Sequence, residues 1–502
     1  MRFTGLLAAG SAALVLAAPS GAGRIVGTRG PDLLLGTTRS DRIVARGGGD
    51  RIDVAGGGRD TVSCGPGVDL AAADPTDRVA ADCERISRRL STDPFRGGGA
   101  LHATEAEPDS FSWGSTIVAA YQVGRFASGG AQNIGFAVSS NGGRTWGQGL
   151  LPSLTVASRP RGLFSRASDP SVAYDAAHGL WLISSLAFGP AESAILISRS
   201  SDGLHWSAPA TAVRKPNGPD GIVLDKEWIV CDNGAASPFR GRCYVSYSDI
   251  ESLRLATQSS ADGGRTWSVA VGSPDGAGRR GIEGRFAPGP QPLVLPNGTV
   301  VVPIYDGPRI SVVRSADGGA SFSAASPVAP SSFSVSAVLR AAPLPSAEVD
   351  AEGTVVMVWP DCGSRARCAG NDLVFSKSRD GLSWTPPAAI PLGRGNHVIP
   401  GLAADRSRSG RLALAYYTES GTKLEVGFVS SADAGATWTP PVRLSPERMP
   451  FNRIARSNGA MVGDYISTSF ADGRAVPVFT LAQAPLAGRL RQATYASSMR
   501  VP

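Results

Sequence analysis

The sequence predicts an all-β protein in two parts, and three observations predict it. Glycine (62) and proline (37) are abundant among 502 residues, which suits short strands joined by turns rather than long helices. Near the start, Asp recurs at 32, 41, 50, 60, 69 and 77. Farther on, a segment of Ser, any residue, then Asp or Asn, with Gly one or two places on, returns six times at steps of 53 to 63 residues. Self-similarity at fixed period is the mark of stacked or radial β architectures.

Composition removes several function classes. Charged residues are 18% and hydrophobic residues 42%, a balance able to bury a large core. The net charge of +7 comes from arginines scattered along the chain; only Lys215, Lys226, Lys377 and Lys423 are lysines. No basic stripe exists, so no nucleic-acid partner is expected. Arg2, the apolar run Leu6 to Ala18 and the following PSGAG read as an export signal over 1–23, cleaved between Ala18 and Arg24. No second apolar run predicts a membrane span, so the expected location is secreted, extracellular. Oligomeric state is not legible. The six cysteines fall into neighbouring pairs, Cys64 with Cys83, Cys231 with Cys243 and Cys362 with Cys368, and three disulfides are expected. The chain has no CxxC and four histidines, so zinc is disfavoured.

Residues 24–90 carry the first repeat. An aliphatic residue follows most of the Asp residues by two places (Leu34, Ile43, Ile52, Val62, Val79), and glycines precede them in GTRGPD, RGGGD and GGGRD. This resembles the hemolysin-type (RTX-like) calcium-binding nonapeptide. The resemblance implies a short parallel β-roll in which Asp32, Asp41, Asp50 and Asp60 face calcium and the aliphatic residues point inward. Arg39 and Arg46 depart from it, standing where the pattern has glycine. Residues 91–104 read as a linker.

Residues 105–502 carry the second repeat: SSNGGRTW (139–146), SSDGLHW (200–206), SADGGRTW (260–267), SADGGASF (315–322), SRDGLSW (378–384) and SADAGATW (431–438). The Asp and Ser side chains of such a segment bond the backbone of a tight turn, and Gly takes positive φ. The segments match the Asp box, and the region resembles sialidases and other BNR/Asp-box proteins. The resemblance implies a β-propeller. Between boxes the β-branched and aromatic runs give four strands per unit, as in DPSVAYD, LWLISSLAF and SAILISRS. Seven four-stranded blades are favoured, starting near Asp109, Asp169, Asp225, Gln291, Glu348, His397 and Asp464, with six, the sialidase number, as the alternative. The seventh unit has no box, and residues around 98–106 are expected to complete it.

Starts of first strands and ends of second strands meet at a propeller's mouth; the boxes lie on the other face. The mouth positions offer Glu107, Asp109, Asp169, Asp225, Lys226, Gln291, Glu348, His397, Asp464 and Tyr465 from first strands, and Arg125, Asp249, Asp306, Asp361 and Glu419 from second strands. Clustered carboxylates raise one another's pKa, which suits general acid and base roles in glycoside hydrolysis. The same cluster suits calcium, and the residues leave both open. The resemblance implies an exo-α-sialidase acting on extracellular glycan or glycoprotein, with Tyr465 attacking and Asp169 or Asp225 as acid. Glu348 and Arg125 complete the expected catalytic set, with Arg166, Arg285, Asp361, His397 and Asp464 binding substrate. Arg453 and Arg456 are further mouth-loop arginines. The F/Y-R-I-P motif that carries the first sialidase arginine is absent from the domain start; FNRIA (451–455) is a partial echo. The alternative is a non-catalytic carbohydrate- or protein-binding propeller.

Overall fold

The structure is a computed structural model that describes residues 14–17, 23–219, 221–277 and 289–502. It is nearly all β, with no α-helix among the described residues. The chain divides into two compact units, residues 1–89 with 444–447, and residues 90–443 with 448–502.

The first unit is a parallel β-solenoid. Strands Asp32–Leu35, Arg51–Asp53, Leu70–Ala73 and Arg85–Arg89 stack in one sheet, and Arg24–Val26, Arg42–Val44, Thr61–Ser63 and Arg78–Val79 in a second. Paired residues such as Arg24 and Arg42, or Arg51 and Leu70, are two repeats apart, so each Asp repeat is half a coil. Ile25, Leu34, Ile43, Ile52 and Val62 fill the interior, as the aliphatic spacing predicts. The Cys64–Cys83 disulfide joins neighbouring coils. Arg46 takes φ +76°, the left-handed turn for which the repeat otherwise supplies glycine. Of the expected export signal, Leu14–Ala17 forms a strand beside Asp32–Leu35 and the rest lies outside the described residues.

The second unit is a succession of antiparallel sheets, seven among the described residues. Their first strands are Ala106–Trp113, Arg166–Asp175, Leu224–Cys231, Leu293–Val294, Ser346–Val349, Asn396–Ala404 and Ser467–Ala471. Each of the first six is a four-stranded meander, with its box between the third and fourth strands. The seventh has three main strands. The ends of the segment expected as a linker and the residues flanking it run along its open edge: Leu90 N donates to Thr494 O (2.7 Å), Thr494 N to Ser91 Oγ (2.8 Å), Gln492 N to Ala103 O (2.9 Å) and Glu105 N to Gln492 O (3.1 Å). Ser91, Ala103 and Thr104 are therefore held at this edge, while residues 96–99 between them are exposed.

Side chains tie most neighbouring first strands, or the residues leading into them, to one another. Val172 N donates to Asp109 Oδ2, Ile229 N to Ser171 Oγ, Ala347 N to Gln291 Oε1, Leu402 N to Ser346 Oγ and Thr468 Oγ1 to Gly401 O. The series returns to its start through Ser110 Oγ and Ser467 Oγ, 3.1 Å apart. The apolar cores follow the same order, each between two consecutive sheets, and Ile117 and Tyr121 of the first sheet pack on Val476 and Val478 of the seventh.

The boxes behave as turn staples. Asp262 accepts from Arg265 N (2.9 Å), Thr266 N (3.0 Å) and Thr266 Oγ1 (2.6 Å), while Ser260 Oγ accepts from Gly264 N (3.0 Å). Cys231–Cys243 and Cys362–Cys368 form the other two disulfides, as expected.

Candidate functional site

The candidate site is built from irregularities at the starts of the first strands. The register of first against second strand slips between Ala106 and Asp109, Ser168 and Ser171, Asp225 and Trp228, and Val398 and Gly401. The residue inside each bulge is left-handed: Glu107 at φ +53°, Asp169 at +47°, Lys226 at +46° and Ile399 at +53°. Each such conformation costs about 1–3 kcal/mol and clusters at functional sites. Pro108, Pro170 and Pro400 follow three of them. The bulges re-aim the side chains of Glu107, Asp169 and Lys226 into one cavity of about 760 Å³, whose wall also holds Asp225, Arg340 and Asp464.

Glu107 lies at the centre of this network. Gln122 Nε2 donates to its carboxylate and to Ser168 Oγ (3.0 Å), Asp464 N donates to Glu107 Oε1 (3.3 Å), and Ser168 Oγ donates in turn to Asp169 Oδ1 (3.4 Å). Gln122 Oε1 accepts from Arg125 Nε (3.0 Å). Arg340 forks onto Asp464, with Nε to Oδ1 at 2.9 Å and Nη2 to Oδ2. The segment carrying Arg340 is held in place by the backbone, since Arg340 N donates to Ala460 O (2.9 Å) and Ala460 N to Val338 O (2.8 Å).

Burial sets the electrostatics. It pushes Glu107 well above the usual carboxylate range, and Asp169 and Asp464 push the same way. Burial raises Asp169 too, opposed by Lys226, and raises Asp225 to about 7 with help from Asp169 and Asp464. Burial lowers Lys226, opposed first by Asp169. Burial thus drives Glu107, Asp169 and Asp225 in one direction, toward the protonated form that a general acid needs.

One pH effect follows. Burial holds Asp109, behind the mouth, at about 7, as it does Asp225, against about 4 in an unfolded chain. A raised folded pKa favours folding fully below the unfolded value, and that contribution is lost as pH rises through the folded one. Melting temperature should therefore fall from about pH 5 to 7, and fall less in Asp109→Asn; equal slopes would refute this assignment.

The structure brings Asp169, Asp225, Asp464 and Arg125 together as expected and places the other expected residues elsewhere. Tyr465 donates its hydroxyl to Pro170 O (3.0 Å), its ring packs edge-on to Trp228, and burial pushes its pKa well above normal, so it is not equipped to attack. Glu348 lines a different cavity, shared with Phe111 and Phe470, where Arg406 Nη2 donates to it at 3.3 Å. His397 is buried between Thr418 Oγ1 (3.1 Å) and Gly393 O (3.3 Å). Asp361 caps a turn through Ser332 N and Gly363 N. Arg166 holds the 126–130 turn through Ser128 Oγ and Gly129 O. Arg285 lies outside the described residues. Sequence reasoning missed Arg340 and Gln122. Arg340 stands alone in the apolar stretch VSAVLRAAPLP, and a lone arginine in a loop carries no signal.

In the solenoid, the Asp residues form a ladder. The backbone N–H of Asp32, Asp41, Asp50 and Asp60 donates to Oδ1 of Asp50, Asp60, Asp69 and Asp77. At Asp32 and Asp41 the other oxygen is closed by Thr28 and Thr37. At Asp50, Asp60 and Asp69, Oδ2 is buried with no partner, and burial lifts Asp50 and Asp60 to about 6. A buried carboxylate oxygen without a partner is one that a hard cation would satisfy, so Asp50 and Asp60 suit an ion better than Asp32 and Asp41.

No family model matches the chain, and no curated protein matches it. Among solved structures, it is similar to the PL25 ulvan lyase, a polysaccharide lyase, at 11% identity, covering 81% of this chain and 97% of that one with a TM-score of 0.48. It is similar to the Hadza microbial sialidase Hz136 at 17% identity, covering 71% and 69%, TM-score 0.43. It is also similar to the α-L-arabinofuranosidase Arb93A from Fusarium graminearum at 13% identity, covering 83% and 97%, TM-score 0.43.

Proposed function

We propose that this protein is a secreted, carbohydrate-active enzyme whose second unit is a seven-bladed β-propeller, and that it cleaves a glycosidic bond in the mouth. The observation that carries this reading is the buried pair Glu107 and Asp169, two carboxyls presented by strained bulges beside Asp225 in one cavity. Glu107 is the general acid, kept protonated by burial, and Asp169 is the base or nucleophile, its charge supported by Lys226. Three disulfides suit an oxidising, extracellular setting; no described helix is long and apolar enough to cross a membrane.

An exo-α-sialidase is the specific enzyme proposed for testing first. It would hold the sugar carboxylate with a cation of the cavity wall, with a carboxylate in place of Tyr465 at the reacting carbon. The test is turnover by the full chain of a fluorogenic sialoside, beside arabinosides and uronate polysaccharides. Turnover of one class identifies the reaction. Glycan binding without turnover of any would replace the enzyme reading with the non-catalytic binding propeller.

We also propose that calcium binds the solenoid at Asp50 and Asp60. Calcium is expected to raise the melting temperature of the wild-type chain. The rise should vanish in the Asp50→Asn, Asp60→Asn double variant and persist in Asp32→Asn. No calcium-dependent shift in the wild type would remove the ion from this account.

A further inference from the structure

Lys226 stands in the wall of the mouth and is only 9% exposed. Its ammonium lies 4.0 Å from the ring centroid of Trp228 and 4.2 Å from that of Tyr465. Both rings are themselves buried and pack edge to face at 5.0 Å, and the Tyr465 hydroxyl is anchored on Pro170 O. This is an aromatic cage, and it grips the cation through π faces alone. An ammonium carries three N–H donors. Among the described residues, none of them donates to a protein oxygen, and no carboxylate forms an ion pair with Nζ.

The other two cations that the described residues place in the cavity wall are committed. Arg340 is forked onto Asp464, and Arg125 is directed to Gln122 and Met461. The charged groups facing Lys226 are Asp169, Glu227, Glu107 and Asp109, close enough to favour its charged form. Burial pushes Glu107 and Asp109 toward their neutral forms, which leaves the positive charge of Lys226 less opposed than the count of acids suggests. The left-handed backbone at Lys226 is a further cost about as large as at Glu107 and Asp169, and such cost accompanies function.

We propose that Lys226 is the specificity-determining cation of the mouth, donating from its Trp228–Tyr465 cage to the acidic group of an anionic sugar. The inference deepens the glycan-cleaving reading and rests on it for the identity of the site. It assigns Tyr465 a role as cage wall. The acidic group is a carboxylate or a sulfate ester, both of which accept from an ammonium.

The test is binding of sugars to the full chain by calorimetry: glucuronate, galacturonate, N-acetylneuraminate and glucose 6-sulfate, each beside a neutral hexose. At least one acidic sugar is expected to bind at least tenfold more tightly than the neutral ones, and the preference should shrink at high salt. Glucose 6-sulfate against the uronates tells sulfate from carboxylate. Lys226→Met should abolish the preference and Lys226→Arg should retain part of it, with melts confirming folding. If Lys226→Met does not fold, the wild-type preference and its salt dependence decide. No acidic preference in the wild type, or a preference that survives in folded Lys226→Met, would overturn the proposal. Acidic-sugar binding without turnover would end the enzyme reading and leave this one standing. Turnover of neutral glycans alone, untouched by Lys226→Met, would do the reverse.

Discussion

Glu107→Gln is expected to lower kcat by about 10²–10⁴-fold at neutral pH, the range for losing a positioned proton donor. Glutamine keeps the shape of the side chain but has no proton to give. Asp169→Asn should lose a similar factor, and the double variant should lose little more than either single change, because the two carboxyls act as one unit. Stability should move the other way. The Glu107 carboxyl is buried at 1% exposure with its pKa pushed up, so folding at neutral pH has to protonate it. The glutamine variant is free of that cost, and its melting temperature should equal or exceed the wild type. Steady-state kinetics beside thermal melts on one preparation check both halves. Wild-type kcat in either folded single variant would show that the chemistry lies elsewhere.

Arg411→Met is expected to destabilise the second unit by about 3–5 kcal/mol, the usual cost of stranding one partner of a buried ion pair. Arg411 is 6% exposed. Its Nη1 donates to Asp405 Oδ2 (2.8 Å), its Nη2 to Gly473 O (3.0 Å) and Val501 O (2.9 Å), and its Nε to Pro502 O (3.1 Å). One guanidinium therefore ties the sixth sheet to the first turn of the seventh and to residues 501–502. Methionine fills the volume but leaves Asp405 with only Ser407 as partner and orphans three carbonyls. Arg411→Lys should recover a minority of the loss, since a point-like ammonium cannot span the fork. Denaturant unfolding followed by tryptophan fluorescence measures it. A loss below about 1 kcal/mol would mean that these bonds are replaced by solvent at little cost.

Local rules made most of the fold legible. The turn chemistry of SADGGRTW and its relatives needs only neighbours within a few residues, so six boxes announced six strand–turn–strand units before any coordinates. The Asp-plus-aliphatic spacing likewise announced a parallel coil, since inward and outward alternation is a property of each strand alone. Cysteine proximity gave the three disulfide pairs for the same reason.

The site was legible only in part. Asp169 and Glu348 look alike in sequence, acidic residues near the start of a first strand, yet they line different cavities. The Asp169 strand carries a bulge and the Glu348 strand pairs in unbroken register, and both pairings are set by strands that come later in the chain. Asp32 and Asp50 look alike too, and a threonine four residues upstream closes one and not the other. Tyr465 reads as a nucleophile until Pro170, nearly three hundred residues away, takes its hydroxyl. By itself the sequence determined two repeat architectures, their strand and turn positions, and the set of polar residues eligible for the mouth. The tertiary structure decided which of these meet, through the closure of the seventh sheet on the first and the crossing of the Arg340 segment to Asp464. It also decided which carboxyls hold protons, because burial is a sum over atoms supplied by distant segments and no local pattern encodes it.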